Sequence, residues 1–203
     1  MMNQLVSHPI HKMIDQLKNH ILTFVAIPEN ELDIFLNAFE IQTISNKEYL
    51  VTEGSHCKHK YFILQGCFRC FFVNRKGVEK VVNFGIENWW ITDFDSFINQ
   101  TVSHLNIQAT EDSVVLKISK SVLDTFLEKS LPLNQYFRII LEKVRVADQK
   151  RIQFMYDLSG EELYDVFCDY NPDFVQRIPQ YMLASYLGFT PEFLSKIRGQ
   201  KKS

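Results

Sequence analysis

The chain has 203 residues, 46% of them apolar and 23% charged, with only 7 Gly and 6 Pro. That composition supports a substantial buried core and excludes an intrinsically disordered chain. A formal net charge of -2 gives no global attraction to nucleic acid or acidic membranes, so either partner would need a local basic face.

No run approaches the roughly 20 apolar residues of a membrane span, and Met1 to Asn19 lacks a signal-peptide block. A cytoplasmic protein with no membrane partner is the expectation. Cys57, Cys67, Cys70 and Cys168 form no disulfide framework and read as reduced thiols.

In chain order, residues 8–37 read as helices: Ile14, Leu17, Ile21 and Leu22 recur at helical spacing, and Pro28 opens a second helix carrying Leu32, Phe35 and Leu36. From Ile41 to Ile118 the pattern changes to short Val-, Ile-, Phe- and Tyr-rich runs punctuated by Gly54, Gly66, Gly77 and Gly85. The runs include Tyr49–Val51, Tyr61–Leu64, Phe68–Val73, Val78–Phe84, Leu105–Ala109 and Val114–Ile118. Asn74-Arg75-Lys76-Gly77 and Gln65-Gly66 read as turns. Many short strands with closely spaced turns predict a β-sandwich or roll.

Helix returns at Ser119, a cap for Lys120 to Lys129, with Pro132 after the stop. The longest periodic segment follows, Leu133 to Leu158. Phe137, Leu141, Val144, Asp148, Arg151 and Met155 alternate by four and three residues, a near-heptad seam. This spacing favours a homodimer over a helix packed only on its own domain. Past Ser159-Gly160 a further helix places Leu163, Val166, Phe167 and Tyr170 on one face and ends at Asn171-Pro172-Asp173.

The most specific motif is Ile178 to Arg198. Pro179 suits a helix start, Met182, Leu183, Tyr186 and Leu187 supply an apolar face, and Gly188 allows a left-handed turn. Thr190 is an N-cap and Pro191 fits the first helical position, with Phe193, Leu194 and Ile197 as the next buried face. Ala184 lies where two helices can cross closely. Helix, tight turn and helix make a helix-turn-helix. Thr190, Glu192, Ser195, Lys196, Arg198 and Lys201 remain as candidates for base and phosphate contacts with double-stranded DNA. From Val175 onward the bases are Arg177, Lys196, Arg198, Lys201 and Lys202 against the single acid Glu192, a local positive footprint.

With β-roll, long helix and this motif in order, the chain resembles the Crp/Fnr family of bacterial transcription regulators along nearly its whole length. The segment Val175-Gln176-Arg177-Ile178-Pro179 leading into Ala184-Ser185-Tyr186-Leu187-Gly188-Phe189-Thr190-Pro191-Glu192 carries the resemblance best. It implies an α+β fold with a cyclic-nucleotide-binding-type, jelly-roll-like β-roll sensor over residues 1–130. A dimerisation helix over 131–158 and a winged-helix or helix-turn-helix reader over 159–203 would follow. It also implies that Glu192 and Lys196 read bases and that Thr190 meets phosphate. Pro191 stands where the family usually has Arg, so base preference should differ. Because little chain follows the second helix of the motif, a wing is expected before it, around residues 174–178. RNA polymerase and a small-molecule effector are further expected partners.

Nucleotide-binding members of that family supply a Gly-Glu pair and an Arg in a phosphate cassette. Here Thr92 and Asp93 replace the pair, and Ser103 or His104 stands in place of Arg. Between Lys80 and Lys117 there is no Lys or Arg, whereas five acids lie there. A buried phosphodiester needs a charge-assisted partner, so an effector other than cyclic AMP is expected. Trp89, Trp90, Asp93, Ser103 and His104, with Phe94 and Phe97, are candidates for lining another small-molecule pocket; a filled aromatic core is the ordinary alternative.

Cys67-Phe68-Arg69-Cys70 sits on an expected strand, where residues three apart point to opposite faces and cannot easily chelate a metal. No cofactor, metal site or catalytic constellation is expected. The leading reading is thus a DNA-binding regulator, and its rival is a ligand-sensing or protein-interaction module whose reader no longer functions.

Overall fold

The computed structural model describes residues 7–200, with the side chains of 7–12 and of residue 173 excepted. It is an α+β chain of two compact units, Met1–Arg69 with Gly85–Leu141, and Cys70–Phe84 with Glu142–Ser203.

The first unit opens with α1 (Ser7–Leu22) and α2 (Glu29–Leu36). Leu17, Ile21 and Phe35 are fully buried, as their helical spacing requires. Two four-stranded sheets follow, built from β1 (Glu40–Ile44), β2 (Tyr49–Val51), β3 (His59–Gln65), β4 (Phe68–Val73), β5 (Glu79–Gly85), β6 (Trp90–Ile91), β7 (Asn106–Ala109) and β8 (Ser113–Ser119). One sheet has the order β1-β8-β3-β6, all within the first unit. Its antiparallel register sets Ile41 opposite Leu116 and Phe62 opposite both Leu116 and Trp90. The other has the order β2-β7-β4-β5, and the division between the units falls inside β4. Phe62, Ile63, Phe68, Ile107, Val115 and Leu116 form the buried centre of the roll.

Gly66 makes the β3–β4 turn possible. Its φ of +104° suits only glycine, and a Cβ there would lie 2.8 Å from the Cα of Ser113. α3 (Phe94–Asn99) connects β6 to β7, and α4 (Lys120–Lys129) is capped by Ser119, whose hydroxyl accepts from Val122 N–H. β1 and β6 go beyond the runs expected from sequence. β1 is buried only at Ile44, and β6 has only two residues, so neither stands out as a strand-length apolar run.

α5 (Leu131–Asp157) is one 27-residue helix. Pro132, which follows the stop of α4 as expected, lies in the first turn of α5, where the missing N–H costs nothing. At its start, Tyr136 and Phe137 are buried in the first unit, where Phe137 meets the rings of Phe35 and Trp90.

The second unit holds the end of α5, the β4–β5 hairpin, α6 (Gly160–Tyr170), α7 (Pro172–Arg177), α8 (Gln180–Leu187) and α9 (Pro191–Gln200). Ser159 and Glu162 form a reciprocal capping box at the start of α6. Phe84, Phe167, Phe174 and Tyr186 make its aromatic core. Tyr170, expected on the packed face of α6, is 70% exposed. The wing expected near residues 174–178 is not there: Pro172 opens α7, and no strand follows β8 among the described residues.

Candidate nucleic-acid interface and sensor cassette

In the second unit, α8 ends at Gly188, whose φ of +80° places it in the left-handed region. Its N–H bonds Ser185 O at 3.2 Å, and Phe189 N–H bonds Ala184 O at 2.8 Å, which turns the chain sharply. Thr190 then accepts from Phe193 N–H at 3.2 Å and Pro191 begins α9. Leu183, Ala184, Leu194 and Ile197 are essentially fully buried, so α8 and α9 cross on a small-residue contact with apolar flanks. That is the geometry of a helix-turn-helix.

The buried stripe of α9 leaves Thr190, Glu192, Ser195 and Lys196 exposed to solvent. Hydrogen bonding by its own backbone N–H and by Thr190 holds the Glu192 carboxyl below the usual carboxylate range. Arg198 is half-buried and near enough to Tyr164 on α6 to stabilise its phenolate, although burial raises that phenol overall. Lys201 lies outside the described residues. Phe193, expected in the buried face, is 42% exposed; its ring stands edge-on to Phe189, and a Cβ on Gly160 would come within 2.6 Å of it. Its position at the third residue of α9 turns it to the flank rather than under the crossing.

The seam residues of α5 divide. Leu141, Val144 and Met155 are 44%, 37% and 48% exposed, and Val146 and Ile152 join them with about half their surface open. Phe137 does not: it is 5% exposed and spent on the core of its own unit. Arg151 is also engaged internally. Its guanidinium donates to Val82 O at 2.6 Å and Tyr186 O at 2.9 Å and stacks 3.8 Å over the Tyr186 ring.

The sensor candidates lie in the first unit. Asp93 caps α3 and accepts from Asp95 N–H at 3.1 Å and Ser96 N–H at 3.4 Å. Ser103 Oγ lies 2.5 Å from Asp93 Oδ2, and both residues are buried. Ser103 also joins Ser55 and Gly54 through its backbone, while Ser96 Oγ donates to Thr101 O. The loop is thus hydrogen-bonded to itself, with the Asp93 side chain at the start of the short helix. His104 is exposed and Trp89 is 45% exposed. Trp90 is half-buried: its indole N–H donates to Tyr136 OH at 2.8 Å, and its ring packs on Phe39, Phe62 and Phe137. These residues do not come together around one point; Asp93 and Ser103 pair with each other, whereas Trp90 belongs to an aromatic layer.

Two cations from outside the Lys80–Lys117 gap do fold into this unit, and the sequence reading missed both. Arg69 is buried and makes two hydrogen bonds to Gln108 Oε1. Lys60 is 7% exposed, with its ammonium 5.1–5.7 Å from the ring centres of Phe94, Phe97 and Phe137. Burial lowers its pKa to about 8. Its signal was a lysine at the head of the apolar run Tyr61 to Leu64.

No candidate metal cluster of three or more His, Cys, Asp or Glu exists among the described residues, and no described helix is long and apolar enough to cross a membrane.

Residues 41–130 match the family of the cyclic nucleotide-binding domain. No curated protein matches the chain by sequence. Among solved structures, the chain is similar to FixK2 from Bradyrhizobium japonicum, with a TM-score of 0.67 at 14% identity, over 80% of this chain and 83% of that one. It is also similar to CLP from Xanthomonas campestris, described as a c-di-GMP-responsive global regulator, with a TM-score of 0.69 at 12% identity over 86% and 92% of the two chains. A third likeness is to a Crp/Fnr-family protein of Eubacterium rectale, with a TM-score of 0.67 at 10% identity over 87% and 84%. Such low identities speak to the fold. Residues 41–130 are thus similar to the cyclic nucleotide-binding domain, and the fold is similar to that of solved regulators, one of them described as of the Crp/Fnr family.

Proposed function

We propose that this chain is a homodimeric, sequence-specific DNA-binding transcription regulator of the Crp/Fnr type, working in the cytoplasm and controlled by an effector other than cyclic AMP. The observation that carries the reading is the two-sidedness of α9. Leu194 and Ile197 are buried on the side of α8, while Thr190, Glu192, Ser195 and Lys196 face solvent as a mixed set of donors and acceptors. Such a set suits base edges and phosphates in a major groove. The exposed Leu141, Val144 and Met155 support a second copy along α5, because a soluble helix does not leave a regular apolar stripe in water without a partner. The self-bonded Asp93–Ser103 pair argues against a cyclic nucleotide in the cassette.

The test is charge reversal on the reading helix. Lys196→Glu together with Arg198→Glu should abolish duplex binding while leaving the dimer intact. Unchanged binding would move the function to the rival class, an interaction module whose helix-turn-helix does not read DNA.

A further inference from the structure

The second unit has a β-hairpin that does not come from the reader's own stretch of chain. Residues 70–84, the end of β4 and all but the last residue of β5, are compact with the helices of 142–203. Three attachments hold them. Ser185 of α8 accepts from Val81 N–H at 3.0 Å and donates to Glu79 O at 3.3 Å. Arg151 bonds Val82 O, and Phe84 packs its ring against Phe174 and Tyr186. The hairpin is therefore tied to α8 six residues before α9 begins.

The turn is rigid. Gly77 has a φ of +75° and donates to Asn74 O, and the Asn74 side chain accepts from Lys76 N–H and Val78 N–H. That turn and the strand after it present Arg75, Lys76 and Lys80 in solvent, with Glu79 as the only acid within residues 74–80. None of the three cations is in an ion pair among the described residues. On a chain of net charge -2, a preformed cationic turn on the reader has a definite electrostatic meaning.

We propose that the β4–β5 hairpin serves as a wing: Arg75, Lys76 and Lys80 contact the phosphate backbone of duplex DNA beside the groove that α9 enters. The inference rests on the DNA-reading function proposed above and adds to it a second contact surface, drawn from the sensor's own strands. Phosphate contacts position a reader without carrying sequence information, so the hairpin contributes affinity and salt dependence but not base choice.

The experiment measures binding of the full-length protein to a random-sequence duplex across a salt series. Removing one cation from a phosphate lowers the steepness of log affinity against log salt by about 0.9. A dimer with Arg75→Ala and Lys76→Ala on both protomers should therefore have a slope shallower by roughly 2 to 4. Lys80→Ala, placed on the strand rather than the turn, should make it shallower by roughly 1 to 2. Lys58→Ala and Lys129→Ala, both at exposed positions, should leave the slope unchanged. A wild-type slope retained by both hairpin variants overturns the proposal and leaves the DNA-reading function standing. Failure of the wild-type protein to bind any duplex overturns both.

Discussion

The Arg151 guanidinium lies over the ring of Tyr186 at 3.8 Å and donates to that residue's backbone oxygen at 2.9 Å. One side chain on α5 therefore holds α8, the first helix of the helix-turn-helix, through both its ring and its backbone. A second N–H of the same guanidinium reaches Val82 O on the hairpin.

Arg151→Ala removes two charge-assisted hydrogen bonds and a stacked cation, and should cost about 2–3 kcal/mol in urea unfolding. Arg151→Lys should recover less than half of that, because an ammonium lacks the planar fork that spans both carbonyls. Full recovery by lysine would show that only the charge matters.

Gly188→Ala should destabilise the protein by about 1–2 kcal/mol through backbone strain alone. At a φ of +80° an alanine Cβ meets nothing closer than Met155 Cε at 3.9 Å, so no clash adds to the cost. Equilibrium unfolding of the variant measures this, and an unchanged midpoint would mean that the turn adopts another conformation.

Lys60 predicts an unusual dependence on pH. Its pKa falls from 10.5 to about 8 on folding, so between those values the unfolded chain binds more protons than the native one. Stability must then rise with pH across that window. At pH 7 the buried charge costs up to about 3 kcal/mol, less what the three rings return as cation–π attraction. Lys60→Met should accordingly be more stable than wild type at pH 7, with the advantage shrinking towards pH 10. An advantage that stays constant with pH would contradict this.

Cyclic AMP should leave the thermal midpoint unchanged. A ligand at 100 times its dissociation constant would add about 2.7 kcal/mol, which is several degrees for a chain of this size. A midpoint that rises with nucleotide concentration would show that Asp93 and Ser103 give way to the phosphate.

The elements most readable in the sequence were those whose local signals agree. Gly188, Thr190 and Pro191 fix a turn, a cap and a helix start without outside help, and the helix-turn-helix appears where they place it. The strand runs were legible for the same reason, since Gly66 and Gly77 punctuate residues with strong β preference. Residues whose role depends on distant partners were not legible. Phe137 and Arg151 satisfy the heptad spacing, yet Phe35 and Trp90 claim one, and Tyr186 and Val82 claim the other. Asp93 reads as a ligand-facing acid until Ser103, ten residues on, folds back to bond it. The docking of residues 70–84 on α8 has no local signature at all, since Ser185 and Val81 are 104 positions apart.

The most direct test of the DNA-reading function is selection from a random duplex pool at near-physiological salt, run in parallel for wild type and Glu192→Gln. Wild type should enrich a two-fold symmetric site whose halves lie about 10 bp apart, or a multiple of that. Glu192→Gln should alter the preferred base at one symmetric pair of positions and leave the half-site spacing intact. Weak, strongly salt-dependent binding with no enriched sequence from either protein would contradict the account.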